Sequence, residues 1–181
     1  ASLGANYQSI SILGTTILIG ADTDVAIRSQ DGGRSFQQIT VIDPATGVQT
    51  TGVTFTAAEI ITSSNWTLGT DDDRALYTFD DGVSWGSQVI PNQGSGTITD
   101  IYFDGNLGHL TRIDGGVGSI FKTYYGSCEP WLPMPESTDP LVDNQGLNKV
   151  VGCPDDPNVT VAVGANDAGA GLILVGTSEY R

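Results

Sequence analysis

Ser29-Gln30-Asp31-Gly32-Gly33-Arg34-Ser35-Phe36 and Thr78-Phe79-Asp80-Asp81-Gly82-Val83-Ser84-Trp85 share one pattern, Ser/Thr-x-Asp-x-Gly-x-Ser-aromatic. Each octet follows a strand-like run, Val25-Ala26-Ile27-Arg28 or Ala75-Leu76-Tyr77. Each precedes another, Gln37 to Val41 or Gly86 to Ile90. Both therefore read as hairpin turns. The carboxylates of Asp31 and Asp80 can accept hydrogen bonds from backbone N–H groups of the turn, which short acidic side chains do well. Gly33 and Gly82 supply a left-handed backbone, and Phe36 and Trp85 are expected to anchor each turn on the core. A worn third copy runs Thr123-Tyr124-Tyr125-Gly126-Ser127-Cys128-Glu129-Pro130-Trp131, with Tyr125 where the Asp should be and one extra residue.

The copies recur about every 45 to 50 residues, a spacing typical of propeller blades. Upstream of each hairpin lie further strand candidates. They are Tyr7 to Leu13 and Thr16 to Gly20; then Val48 to Phe55, Glu59 to Thr62 and a third at Trp66 to Gly69; then Thr97 to Phe103 and Gly108 to Ile113. A further unit begins with Leu147 to Cys153, Asn158 to Gly164 and Gly171 to Gly176. Four short strands per unit with turns between them make a blade. The expected fold is all-β, one domain, a β-propeller of about four blades spanning roughly 6–44, 48–92, 95–136 and 145–181. The last blade reads as incomplete. A small ring closed imperfectly, an open arc completed by a partner chain and a piece of a longer propeller all fit, the first two better.

At these octets the chain resembles the Asp-box (BNR-repeat) superfamily, which includes sialidase-like, Vps10-like and phage virion propellers. The resemblance implies that Ser29, Asp31, Gly33, Phe36, Thr78, Asp80, Gly82, Trp85 and Trp131 are structural residues on the blade periphery. It does not carry a function with it. A sialidase of this superfamily needs an arginine triad, a Tyr–Glu nucleophile pair and an acid Asp. Only Arg28, Arg74 and Arg112 are candidates for the triad, and no Phe-Arg-Ile-Pro-like motif precedes them. They are expected to be solvated or ion-paired.

Composition narrows the function classes. The chain has 181 residues, 39% of them hydrophobic, and a formal net charge of −14 from 21 acidic and 7 basic side chains. Such a surface repels phosphate backbones and anionic lipid, so neither nucleic-acid binding nor membrane docking is expected. No apolar run reaches the roughly 18 residues a membrane helix needs. With Ala1 in place of Met and no leader-like segment, the start reads as processed or otherwise defined. Gly, Thr, Ser and Asp dominate over helix formers, a composition shared by extracellular and virion surface proteins.

Other constellations are weaker. A two-carboxylate glycosidase needs an acid and a base flanking the bond, and in so acidic a chain abundance proves nothing. Asp22/Asp24 and Asp71-Asp72-Asp73 precede the hairpin strands; they resemble oxygen-rich Ca²⁺ loops but lack EF-hand spacing, and read as solvated turn residues. His109 is the only histidine, so no metal site built on several histidines is expected, and no cofactor. Asn65-Trp66-Thr67 and Asn158-Val159-Thr160 match glycosylation sequons. Cys128, in the third turn, and Cys153, at the end of a first strand, fall on one face of neighbouring blades, where either a disulfide or two separate thiols can stand. Trp66 is the freest of the three tryptophans and the one candidate for ligand contact, with core packing the better reading.

The expected function is a non-catalytic propeller that joins protein partners or copies of itself, as a virion (decoration or tail) or extracellular surface component. The alternative is a carbohydrate-binding or glycoside-hydrolase-like propeller.

Overall fold

The computed structural model describes residues 5–91, 96–124, 126–133, 146–153, 156–165 and 171–177; in the last three segments it describes the backbone and the Val150 side chain. No helix occurs among them. Four antiparallel sheets follow one another along the chain. Sheet I comprises β1 (Tyr7–Leu13), β2 (Thr16–Ala21), β3 (Ala26–Ser29) and β4 (Gln37–Ile39). Sheet II comprises β5 (Phe55–Ile60), β6 (Trp66–Thr70), β7 (Arg74–Thr78) and β8 (Gly86–Val89). Sheet III comprises β9 (Thr97–Asp104), β10 (Leu107–Asp114), β11 (Val117–Thr123) and β12 (Leu132–Pro133). Sheet IV comprises β13 (Gly146–Cys153), β14 (Asp156–Ala165) and β15 (Gly171–Thr177).

Each strand pairs with its sequence neighbour, and each sheet packs face to face on the next through its first strands, β1 on β5, β5 on β9 and β9 on β13. The period-2 alternation of a strand explains this stacking, because each sheet must offer an apolar row to both neighbours. Leu18, Ala26 and Ile39 of sheet I meet Ala58, Ile60, Trp66, Leu68, Leu76 and Trp85 of sheet II in one core. Ala57 and Ala75, on the other side of sheet II, meet Ile98, Ile101, Phe103, Leu110, Phe121 and Trp131. Two glycines let the sheets approach. A Cβ on Gly20 would lie 2.6 Å from the Phe55 carbonyl oxygen, and one on Gly69 would lie 2.5 Å from Ile98 Cγ2. Among the described residues sheet IV is not among the elements packed on sheet I.

The second unit departs from the sequence expectation. Val48 to Thr54 is a connecting segment whose only ladder contact is the Ile42–Gln49 bridge. The first strand begins at Phe55 and absorbs Glu59, and the second is Trp66–Thr70 rather than Glu59 to Thr62. Gly47 and Gly52, both at φ +71°, bend the Val48 segment out of strand geometry.

Candidate functional site: an uncovered sheet face

The two repeated turns are built alike. In the first, Ser29 Oγ donates to Asp31 Oδ1 (2.8 Å) and accepts from Gly33 N–H (2.9 Å), while Ser35 donates its N–H (2.9 Å) and Oγ–H (2.6 Å) to Asp31. In the second, Thr78, Asp80, Gly82 and Ser84 repeat these bonds at 2.8, 3.0, 2.8 and 2.6 Å. Hydrogen bonds from the serine hydroxyl and N–H, then from Ser29 or Thr78, hold both carboxylates at a pKa of about 2. Gly33 and Gly82 have φ of +85° and +81°.

The second and third turns dock on the sheet before them. Arg28 Nη1 of sheet I donates to the Asp81 carbonyl (2.6 Å), and its guanidinium lies 5.8 Å from the Trp66 ring centre. Gln88 of sheet II donates to the Cys128 carbonyl, and Ser127 Oγ donates to Asn65 Oδ1 (3.1 Å). Trp85 and Trp131 are accordingly 8% and 0% exposed. Phe36 breaks the expectation at 49% exposure. It occupies the same turn position but has no described sheet in front of it, and Arg28, Ser29, Gln30, Asp31, Ser35 and Gln37 line an open polar cleft beside it.

Trp66, the candidate for ligand contact, is fully buried, as its core-packing alternative has it. It faces sheet I from the middle of the core, and its indole N–H donates to the Ser63 carbonyl (3.0 Å). Cys128 is a half-buried free thiol, and the side chain of Cys153 lies outside the described residues. His109 is fully buried in β10; burial, then the Lys122 charge, depresses its pKa to about 4.

The acidic pairs read as solvated turn residues have definite partners. Asp22 accepts from the N–H (2.8 Å) and side-chain amide (2.6 Å) of Asn6, and Asp71 from Thr54 N–H (2.9 Å). These two hold the segment leading into their own sheet. Asp24 accepts from Gly52 (2.9 Å) and Val53 (2.7 Å) N–H, and Asp73 from Gly96 N–H (2.9 Å). These two hold the segment leading into the next sheet, from a left-handed backbone at φ +62° and +65°. Asp73 is 3% exposed and also binds Arg112 through Nε and Nη2 (2.7 Å). Arg112 reaches Asp114 as well (2.9 Å), and Arg74 pairs with Asp72 (2.6 Å) and Asp43 (2.9 Å). The three arginines are thus dispersed among separate sheets and do not converge. Among the described residues no group of three or more His, Cys, Asp or Glu is placed to hold a metal ion.

The feature the sequence reading missed is a face. Cross-strand register aligns Ile10, Ile19 and Ile27 in one row of sheet I, and Ile12, Ile17 and Ser29 in the next. The corresponding rows of sheet II are Ala58, Leu68, Leu76 and Ile60, Trp66, Thr78. Those of sheet III are Ile101, Leu110, Phe121 and Phe103, Gly108, Thr123. In sheets II and III these rows are buried under the preceding sheet. In sheet I they are covered only in part: Ile10 is 60% and Ile12 62% exposed and Ile17 and Ile19 are half-buried, whereas Ile27 packs with Ala21 and Val25 and Ser29 is buried in the turn. The isoleucine spacing in Tyr7 to Leu13 carried the signal: Ile10 and Ile12 alternate with serines on a strand whose isoleucine side meets no sheet among the described residues.

Solved structures sharing this stacking of sheets include the Niastella koreensis GH74 enzyme. That structure superposes with a TM-score of 0.66 at 15% identity, over 95% of this chain and 28% of that one. YCF48 bound to D1 peptide gives 0.54 at 16%, over 96% and 64%. A chain of the COPII outer coat vertex on membranes gives 0.63 at 15%, over 97% and 43%. The chain is a β-propeller arc. Its four sheets are blades, and it spans between 28% and 64% of the length of these three relatives. No family model and no curated protein matches the sequence. At such identities the likeness carries the fold alone.

Proposed function

We propose that the chain is a non-catalytic β-propeller module of the Asp-box kind that joins proteins through the exposed isoleucines of blade I. One observation carries this reading: Ile10 and Ile12 stand exposed on β1, at positions whose counterparts in blades II and III are buried. Exposed apolar patches of this kind mark interaction surfaces in soluble proteins. The turn aspartates and the three inner arginines are already engaged in holding blades and turns together, which supports a scaffold over a hydrolase. The reading is supported by the likeness in fold to YCF48 bound to D1 peptide and to a chain of the COPII outer coat vertex on membranes. The acidic, Gly/Thr/Ser-rich composition supports a virion or extracellular surface as its setting.

The test is co-sedimentation with the native particle or complex, comparing the natural chain with Ile12→Lys and with Val83→Lys, which lies 79% exposed in the second turn. Ile12→Lys is expected to lose association with its fold intact, and Val83→Lys to keep it. Turnover of any oligosaccharide on a broad panel, abolished by substituting one carboxylate, refutes the reading in favour of a glycoside hydrolase.

A further inference from the structure

The residue just before each repeated turn occupies one register position in blades I, II and III. Arg28 stands opposite Gln37, Tyr77 opposite Gly86 and Lys122 opposite Leu132. In blades I and III this position carries a cation laid against an aromatic ring. Arg28 lies 5.8 Å from the ring centre of Trp66 in the next blade, and Lys122 Nζ lies 5.2 Å from that of Tyr124. Blade II has Tyr77 there instead, and its ring meets Phe79 edge-on at 5.5 Å and 62°. Gly86 makes room for it, since a Cβ at that position would collide with the Tyr77 ring.

The third turn closes the far side of this crease. Gln88 donates to the Cys128 carbonyl. Burial, then the charges of Cys128 and Glu129, push the pKa of the Tyr77 phenol upward, which sets both residues beside its ring. Three groups here are left unengaged. Phe79 is 52% exposed, the exposed Glu129 carboxylate has no ion pair among the described residues, and the Tyr77 hydroxyl has no hydrogen-bond partner among them. The chain brings no cation of its own to them. Arg34, in the first turn, is the only exposed basic side chain among the described residues.

We propose that the crease between blades II and III takes an arginine of a partner protein, its guanidinium against the Phe79 ring and paired with Glu129. A guanidinium is planar, weakly hydrated and forked, so it stacks on a ring while its N–H groups reach a carboxylate. Arg28 shows the same arrangement inside the chain, laid against Trp66 while Nη1 donates to the Asp81 carbonyl (2.6 Å). The Tyr77 oxygen offers a further acceptor at the same place. A net charge of −14 favours encounter with a basic partner, and arginine is among the side chains that anchor protein interfaces most often. This crease is separate from Ile10 and Ile12 of blade I, so each surface stands or falls without the other.

The experiment follows the NMR shifts of the labelled 181-residue chain during titration with N-acetyl-arginine methylamide at constant ionic strength. The citrulline analogue, alike in shape but uncharged, is the control. The expected result is a saturable set of shifts centred on Tyr77, Phe79, Gly86 and Glu129, absent with the citrulline analogue. Phe79→Ala and Glu129→Gln should each weaken binding by about fivefold or more, and Ile12→Lys should leave it unchanged. Both replaced side chains are exposed, so both variants should keep the spectrum of the folded chain. Tyr77→Lys should abolish binding, because the chain then supplies the cation as Lys122 does beside Tyr124. Binding that survives either Phe79→Ala or Glu129→Gln overturns the proposal. So do equal shifts with the citrulline analogue, shifts spread evenly over the acidic surface, or none at the crease at any concentration.

Discussion

Asp73→Asn tests whether the blades are held in sequence by buried carboxylates. Asn tolerates the left-handed backbone that Asp73 adopts at φ +65°, whereas Ala would add backbone strain of its own. The substitution therefore isolates the charge. It removes a carboxylate 4% exposed at its side chain that accepts from Gly96 N–H and from two nitrogens of Arg112. It leaves a guanidinium 5% exposed that still pairs with Asp114 at 2.9 Å. Breaking one side of a buried pair costs about 3–5 kcal/mol. The remaining bond to Asp114 puts the expectation at the lower end, about 3 kcal/mol, against a whole-domain stability of about 5–15 kcal/mol. With an m-value of about 1–3 kcal/mol/M, the urea midpoint should fall by about 1–3 M. Tryptophan fluorescence reads it, because Trp66, Trp85 and Trp131 are all buried at blade junctions. Adding Arg112→Met removes the stranded charge, so the double variant should lose less than the sum of the two singles by at least about 1 kcal/mol. A loss under about 1 kcal/mol for Asp73→Asn, or strict additivity, refutes the clamp.

Other expectations follow from the same structure. Asp31 and Asp80 titrate near 3.8 when unfolded and near 2 when folded, so their contribution is complete above 3.8 and disappears as pH falls towards about 2. A melting-temperature profile should show that acid limb, and Asp31→Asn with Asp80→Asn should flatten it. His109 has the opposite charge type: its folded pKa of about 4 lies below the ordinary 6.5, so the unfolded chain takes up the proton first. Stability should then fall as pH drops from 6.5 towards about 4, and imidazole NMR shifts of the folded chain should stay flat until near 4. Trp66→Ala should cost about 3–5 kcal/mol of stability as a core truncation. Glycan retention that vanishes in a folded Trp66→Ala protein would contradict the burial assigned to this side chain.

The turns were legible in the sequence because their chemistry is local. Ser29, Asp31, Gly33 and Ser35 satisfy one another within a few residues, and Thr78 to Ser84 do the same. The all-β blade arrangement followed from that spacing and from strands such as Thr97–Asp104, where alternation is clear. What depended on neighbouring blades was not legible. Phe36 and Trp85 hold the same turn position, and only a preceding sheet makes one buried and the other exposed. For Trp66 the sequence leaves ligand contact open beside core packing, and only blade I laid over it decides for the core. The Val48 segment is rich in β-branched residues, yet the strand starts at Phe55, after Asp71 and Asp24 have taken the N–H groups of Gly52, Val53 and Thr54. The two Asp-x-Asp pairs did carry a signal, since they recur at the same spacing as Asp31 and Asp80. Their partners lie on backbone far along the chain, where no side-chain motif can announce them.

That choice of partner bears on how such a chain diversifies. Asp24 and Asp73 grip the main chain of the following blade and are indifferent to which side chains it carries. A duplicated blade arrives with its coupling already compatible, whatever its sequence becomes, so long as one carboxylate survives in the loop ahead of it. At this coupling, constraint falls on a few loop aspartates, while the packed rows and the glycines at Gly20 and Gly69 constrain the faces separately. Copies inherited from one ancestor can lose nearly all likeness to one another and still assemble in order.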